Sequence, residues 1–199
     1  KEQWHFQNGQ YLAEPAAADG KVFVSGSGGS LTALDAVTGQ VVWIFEIPDD
    51  FGFTLPSVVG DSVYVSGVGG VIYAVDIENG EERRSYSVGN WIYCQAVVDG
   101  TIFATSLTLH LHAIDLATGQ ERWSFRNENW HNCPAVVGDT VYVGTTHGVF
   151  LALDAATGAE RWSFGADRHD TSFGSPSVAE GMVFVGGEGE GTLWVLGVS

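Results

Sequence analysis

"ALDAATGAERWSF", Ala152 to Phe164, decides the reading of this chain because it is written more than once. "ALDAVTGQVVWIF" runs from Ala33 to Phe45 and "AIDLATGQERWSF" from Ala113 to Phe125, with a weaker copy, "AVDIENGEERRSY", from Ala74 to Tyr86. Asp35, Asp76, Asp115 and Asp154 head the copies; Gly39, Gly80, Gly119 and Gly158 follow four residues later, and both series step by 41, 39 and 39. Working outward, a second series stands upstream: "KVFVSG", "SVYVSG", "TIFATS", "TVYVGT" and "MVFVGG", anchored at Val22, Val63, Ile102, Val141 and Val183. Before each of these comes a short run ending in Asp-Gly, Gly-Asp or Glu-Gly, such as "CPAVVGD" (133–139).

Each unit reads as four short strands. "PAVVGDTVYVG" is two apolar stretches around a Gly-Asp turn, a hairpin pattern. "THGVFLALD" adds a turn and a third strand. "AATG" turns the chain again, with Gly supplying the positive φ that other residues resist, and "AERWSF" is the fourth strand. Asp at the head of the turn is placed to accept backbone N–H groups, and Trp43, Trp123 and Trp162 are broad anchors suited to the faces between units. A period near 40 with four strands per unit predicts an all-β fold, a β-propeller of stacked four-stranded blades.

The phrase "AxDxxTGxxxW", together with the "VYVG" and "LALD" strands, resembles the blades of the pyrroloquinoline-quinone (PQQ)-type propeller repeat family. That family includes quinoprotein alcohol dehydrogenases and the propeller lipoprotein of the bacterial outer-membrane assembly machinery. The resemblance runs along nearly the whole chain and concerns fold, since one fold carries several functions. The second unit departs from it, with Arg84 in place of Trp and Asn79 in place of Thr, so its interface is expected to be less tightly packed.

The blades are expected at about 11–46, 52–87, 91–126, 130–164 and 172–197. The fifth unit ends after its third strand, "TLWVLG", while the chain opens with "KEQWHF", in which Trp4 and Phe6 match the "WxF" of a fourth strand. Residues 3–7 are therefore expected to complete the last blade and close a five-bladed ring in one domain, removing its exposed sheet edges. The family more often has about seven or eight blades, and a fragment of a larger ring is the alternative.

Twenty-four acidic residues stand against eight basic ones, a net charge of −16, and only Lys1 and Lys21 are lysines. Such a chain is a poor partner for a phosphate backbone, which needs a basic face. An anionic membrane surface is excluded on the same ground, and no stretch approaches the roughly 20 apolar residues of a membrane-spanning helix. The abundance of carboxylates with almost no lysine resembles the halophilic proteins of salt-loving archaea, an acidic extracellular protein being the alternative. An extracellular or cell-surface place, or the cytoplasm of a high-salt archaeon, is compatible with this composition. A monomer is expected.

Between the repeated strands the connecting segments diverge, and variable loops on a repeated scaffold are where binding concentrates. Tyr11, Phe53, Trp91, Tyr93, Trp130, His131 and Phe173 fall on these segments and are expected to form an aromatic channel mouth. The competing reading is that they plug a narrow channel. Cys94 and Cys133 lie 39 residues apart, at one repeat position in adjacent units. Free buried thiols are the expectation; a disulfide and a soft-metal site with His131 are the alternatives. His110 and His112 share one face of a strand, but no third ligand is evident, so no metal site is expected. The Asp series looks catalytic only until its repetition is noticed: a group required once per blade is structural.

The functional expectation is a non-enzymatic scaffold that binds a protein partner and needs no cofactor. One alternative is a quinoprotein dehydrogenase holding PQQ and calcium. For this the resemblance implies an adjacent Cys-Cys pair, a Trp under the quinone and Glu, Asn and Asp about the metal. The cysteines here are far apart, although Trp91 or Trp130 could stack on a quinone. A sugar-binding propeller is the other alternative. No "GxSxG" or "HExxH" motif supports a hydrolase.

Overall fold

The structure, a computed structural model, describes residues 1–48, 55–129, 131–165, 172–188 and 191–197. Among them there is no helix, and twenty strands form five four-stranded antiparallel sheets. The chain divides into two compact units, Lys1–Ile92 and Tyr93–Ser199.

The first unit holds two sheets. β1 (Ala16–Ala18), β2 (Lys21–Gly26), β3 (Ser30–Asp35) and β4 (Val41–Glu46) pair in chain order, as do β5 (Ser57–Val59), β6 (Ser62–Ser66), β7 (Val71–Asp76) and β8 (Glu82–Ser87). Middle strands are apolar on both faces because both faces are covered. Phe23, Leu31, Ala33, Trp43, Val63, Val65, Tyr73 and Val75 form one buried cluster in this unit.

The second unit holds three sheets. β9 (Ile92–Val98), whose first residue closes the first unit, pairs in order with β10 (Thr101–Ser106), β11 (His110–Asp115) and β12 (Glu121–Arg126). The next sheet is β13 (Ala135–Val137), β14 (Thr140–Gly144), β15 (Phe150–Asp154) and β16 (Glu160–Phe164). The last sheet differs: β17 (Ser172–Phe173) and β18 (Ser177–Ala179) both pair with β19 (Met182–Glu188), which pairs on its other side with β20 (Thr192–Gly197). Residues 3–7, expected to be the outer strand of this sheet, form no strand; the fourth member is β17. Tyr142, Phe150, Ala152, Phe173, Val183 and Val185 make a buried cluster across the last two sheets.

The hairpin turns follow their residues. Asp19-Gly20, Asp99-Gly100 and Glu180-Gly181 have positive φ at both positions, the arrangement of a two-residue turn whose twist matches the strands. Opposite each fourth strand the third carries an irregularity at one repeat position, between Ala33/Leu34, Ala74/Val75, Ala113/Ile114 and Ala152/Leu153. A bulge at a fixed place in every sheet is a built feature of the repeat.

Candidate binding residues

The repeated residues are accounted for by the turn they build. Asp35, Asp115 and Asp154 each accept the backbone N–H of Thr38, Thr118 and Thr157 on Oδ1, at 2.7, 2.7 and 2.9 Å, and the same threonine's hydroxyl at 2.8, 2.9 and 2.9 Å. In the second unit Asp76 accepts the N–H of Asn79 at 3.0 Å, and Asn79 Oδ1 accepts the N–H of Glu81 at 2.9 Å, so Asn replaces Thr without undoing the turn. A repeat signal absent from the sequence expectations completes the set: Arg83, Arg122 and Arg161 stand seven residues after Asp76, Asp115 and Asp154 and donate to Oδ2 at 2.9, 3.1 and 2.7 Å. The arginine is the main cause that holds each of these carboxyls below the usual range, Asp154 down to about 2. Asp35 has no such arginine; its lowered value comes first from Thr38.

The tryptophans act on the turns. Trp4, Trp43 and Trp123 each donate Nε1–H to the carbonyl of the residue after the turn's Asp: Ala36 at 3.1 Å, Ile77 at 3.2 Å and Ala155 at 3.0 Å. Their rings lie on Gly39, Gly80 and Gly158, where a Cβ would stand 2.6, 2.7 and 2.6 Å from ring carbons. Those glycines also have φ between +71° and +76°, so no other residue suits the position. Arg84 occupies the tryptophan's register position opposite Ala74, with its guanidinium 5.3 Å over the Tyr86 ring.

Of the residues expected at a mouth, Tyr11 is 82% exposed, Trp91 47% and Tyr93 51%. Tyr93 projects outward from β9 between buried Ile92 and Cys94. Phe173 does not belong with them: it is buried, ringed by Phe150, Phe164 and Trp194 at centroid distances of 5.9 to 6.4 Å. An aromatic on a connecting segment has here been drawn into the core, because β17 folds back onto β19. His131 is buried too. Phe53 and Trp130 lie outside the described residues.

Cys94 and Cys133 form a disulfide with Cα atoms 5.2 Å apart, which corrects the expectation of free thiols. Equivalent positions on neighbouring first strands come close enough in this geometry to be bridged. Two residues before Cys133, both ring nitrogens of His131 are buried without a hydrogen-bond partner. Burial, then the nearby His110 and His112, pushes its pKa down to about 4. His112 is satisfied, with Nδ1 2.7 Å from Glu121 Oε2 and Nε2 3.3 Å from Ser106 Oγ, and its ring stacks on His110 at 5.5 Å. No group of three His, Cys, Asp or Glu among the described residues could hold a metal ion. That donor set does not fit calcium beneath a quinone.

A family model described as outer membrane protein assembly factor BamB matches residues 1–90 and 107–198. No curated protein is significantly similar in sequence. Among solved structures, the computationally designed Ika8 protein superposes with a TM-score of 0.82 at 19% identity, over 94% of this chain and 58% of that one. BamB from Moraxella catarrhalis does so with a TM-score of 0.76 at 23% identity, over 98% of this chain and 61% of that one. The designed Ika4 protein gives 0.69 at 18% identity, over 78% of this chain and 96% of its own. The chain thus spans about three fifths of the first two structures, and the shared fold is a β-propeller of PQQ-like repeats.

Proposed function

Because the chain belongs to the BamB family of PQQ-like repeat β-propellers, we propose that it is a non-enzymatic scaffold that binds a protein partner and uses no cofactor. One observation carries this reading. The polar residues that recur are consumed by the turns, as Asp–Thr and Asp–Arg contacts, while large exposed aromatics stand on segments that do not recur. Tyr11, Trp91 and Tyr93 are those aromatics, and exposed Trp and Tyr are enriched where proteins meet. The family description, an assembly factor, agrees with a protein partner. The quinone alternative lacks both its adjacent cysteines and a described cation-binding group.

Residues 3–7 are the proposed outer strand of the last sheet, closing five blades into a ring. Trp4 already meets Gly39 as Trp43 meets Gly80. By analogy with Trp162 opposite Ala152 and Phe164 opposite Phe150, Trp4 would pair opposite Val195 and Phe6 opposite Leu193. The net charge of −16 suits a salt-rich medium, where screening relieves self-repulsion.

Photo-crosslinking tests the scaffold. A photoreactive residue at Tyr11, Trp91 or Tyr93 in producing cells should yield one discrete adduct mass, and the same residue at exposed Val37 should yield none. Adducts at Val37 alone, none at the aromatics, or saturable one-to-one binding of PQQ with calcium would overturn the reading.

A further inference from the structure

Four outer-strand positions carry tryptophan, at Trp4, Trp43, Trp123 and Trp162. For the first three, a glycine turn covers the indole and a carbonyl takes its N–H. Trp162 has neither partner among the described residues; it packs on Tyr142 and Phe150, each at 6.1 Å. The surrounding space records the difference. Beside Trp123, between the third and fourth sheets, the notch bounded by Thr101, Phe103 and Arg122 has a volume of about 170 Å³, with Ala155 and Ala156 of the covering turn as one wall. At the matched positions Thr140, Tyr142 and Arg161, between the fourth and fifth sheets, the cleft is about 510 Å³ and Trp162 itself lines it. Val198 and Ser199, which stand in sequence where Ala155 and Ala156 stand, lie outside the described residues.

We infer that this cleft is a docking site for a tight turn of a partner polypeptide, one carrying Asp-x-x-Thr-Gly. The chemistry of the occupant is set by three instances within the same molecule. An indole N–H in a cleft needs an acceptor, since an unpaired polar group costs more as it is buried. A flat ring pressed on a backbone admits only a residue without Cβ. A turn with Asp first and Gly fifth offers both, because the carbonyl of its second residue and the bare Cα of its fifth face the same way. The site is separate from Tyr11, Trp91 and Tyr93, and it stands whether or not residues 3–7 close the last sheet.

Indole resonances of the isotopically labelled 199-residue chain provide the test. The probe is a synthetic peptide with the sequence of residues 153–160, "LDAATGAE", which contains the turn and no outer-strand aromatics. The Trp162 indole signal, assigned by its loss in Trp162→Phe, should shift saturably while the other six stay in place. A peptide with valine in place of its glycine should bind at least tenfold more weakly, and Trp162→Phe protein should bind the original peptide at least tenfold more weakly. The phenyl ring keeps contact with Tyr142 and Phe150, and unchanged remaining indole signals will show that the variant folds. No shift up to several millimolar peptide, equal binding of the valine peptide, or undiminished binding to Trp162→Phe would each overturn the assignment.

Discussion

On β15, Phe150 and Ala152 have no exposure, whereas on β20 the residues at the same repeat positions, Leu193 and Val195, are 65% and 51% exposed. The two strands come from one repeat and pair inward alike, β15 with β14 and β20 with β19. They differ on the other side: β16 covers β15, and β20 has no outer neighbour among the described residues. The third strand is thus apolar on both faces whether or not its outer neighbour is in place. What the fourth strand adds is a tryptophan that reaches the next turn and a flank that removes the edge.

The largest effect should come from emptying the covered strand. Phe150→Ala removes a ring packed on Tyr142, Trp162 and Phe173 and should cost about 3–5 kcal/mol in denaturant unfolding. A loss under about 1 kcal/mol would mean that β15 is no better packed than β20. Next is the disulfide, which joins the third and fourth sheets across 39 residues. Replacing both Cys94 and Cys133 by Ala should lower stability by about 2–4 kcal/mol through the freed unfolded chain; a reducing agent should then have no further effect on the variant.

Acid sharpens the picture of the same two sheets. The His131 imidazole has an ordinary value of 6.5 when unfolded and about 4 when folded. The unfolded state therefore binds the proton first. Stability is complete above about pH 6.5, falls as pH drops toward 4, and levels off below, a loss of about 3 kcal/mol at most. Groups facing His131 include His110 and His112, so the measurement is a difference: His131→Phe should flatten the urea-midpoint profile between pH 7 and 4. An unchanged slope would remove His131 from the account. The smallest effect belongs to the open edge, where Leu193→Ala should stay within about 1 kcal/mol unless residues 3–7 cover it.

Much of the architecture could be read before any coordinates. The thirteen-residue phrase carries its own period, and Asp, Thr, Gly and Trp do in each sheet what their chemistry and spacing imply. Arg83, Arg122 and Arg161 recur just as regularly; their role was legible in the constant seven-residue step from Asp. The candidate site was less legible. Whether Phe173 points to solvent or core depends on β17 folding onto β19, a pairing of two residues with no periodicity to announce it. The disulfide depends on a Cα distance, and the unpartnered ring of His131 on what three separate segments leave uncovered. None of these is a property of local sequence.

Hydrogen exchange along β20, set against β15, tests the central comparison most directly. Amides of both faces of β15 should be protected. If residues 3–7 supply the missing strand, both sets of β20 amides should be protected as well, and deletion of residues 1–7 should release only the set facing away from β19. Fast exchange of that outward set in the intact chain, or no change on deletion, would contradict closure and leave β20 as a standing edge.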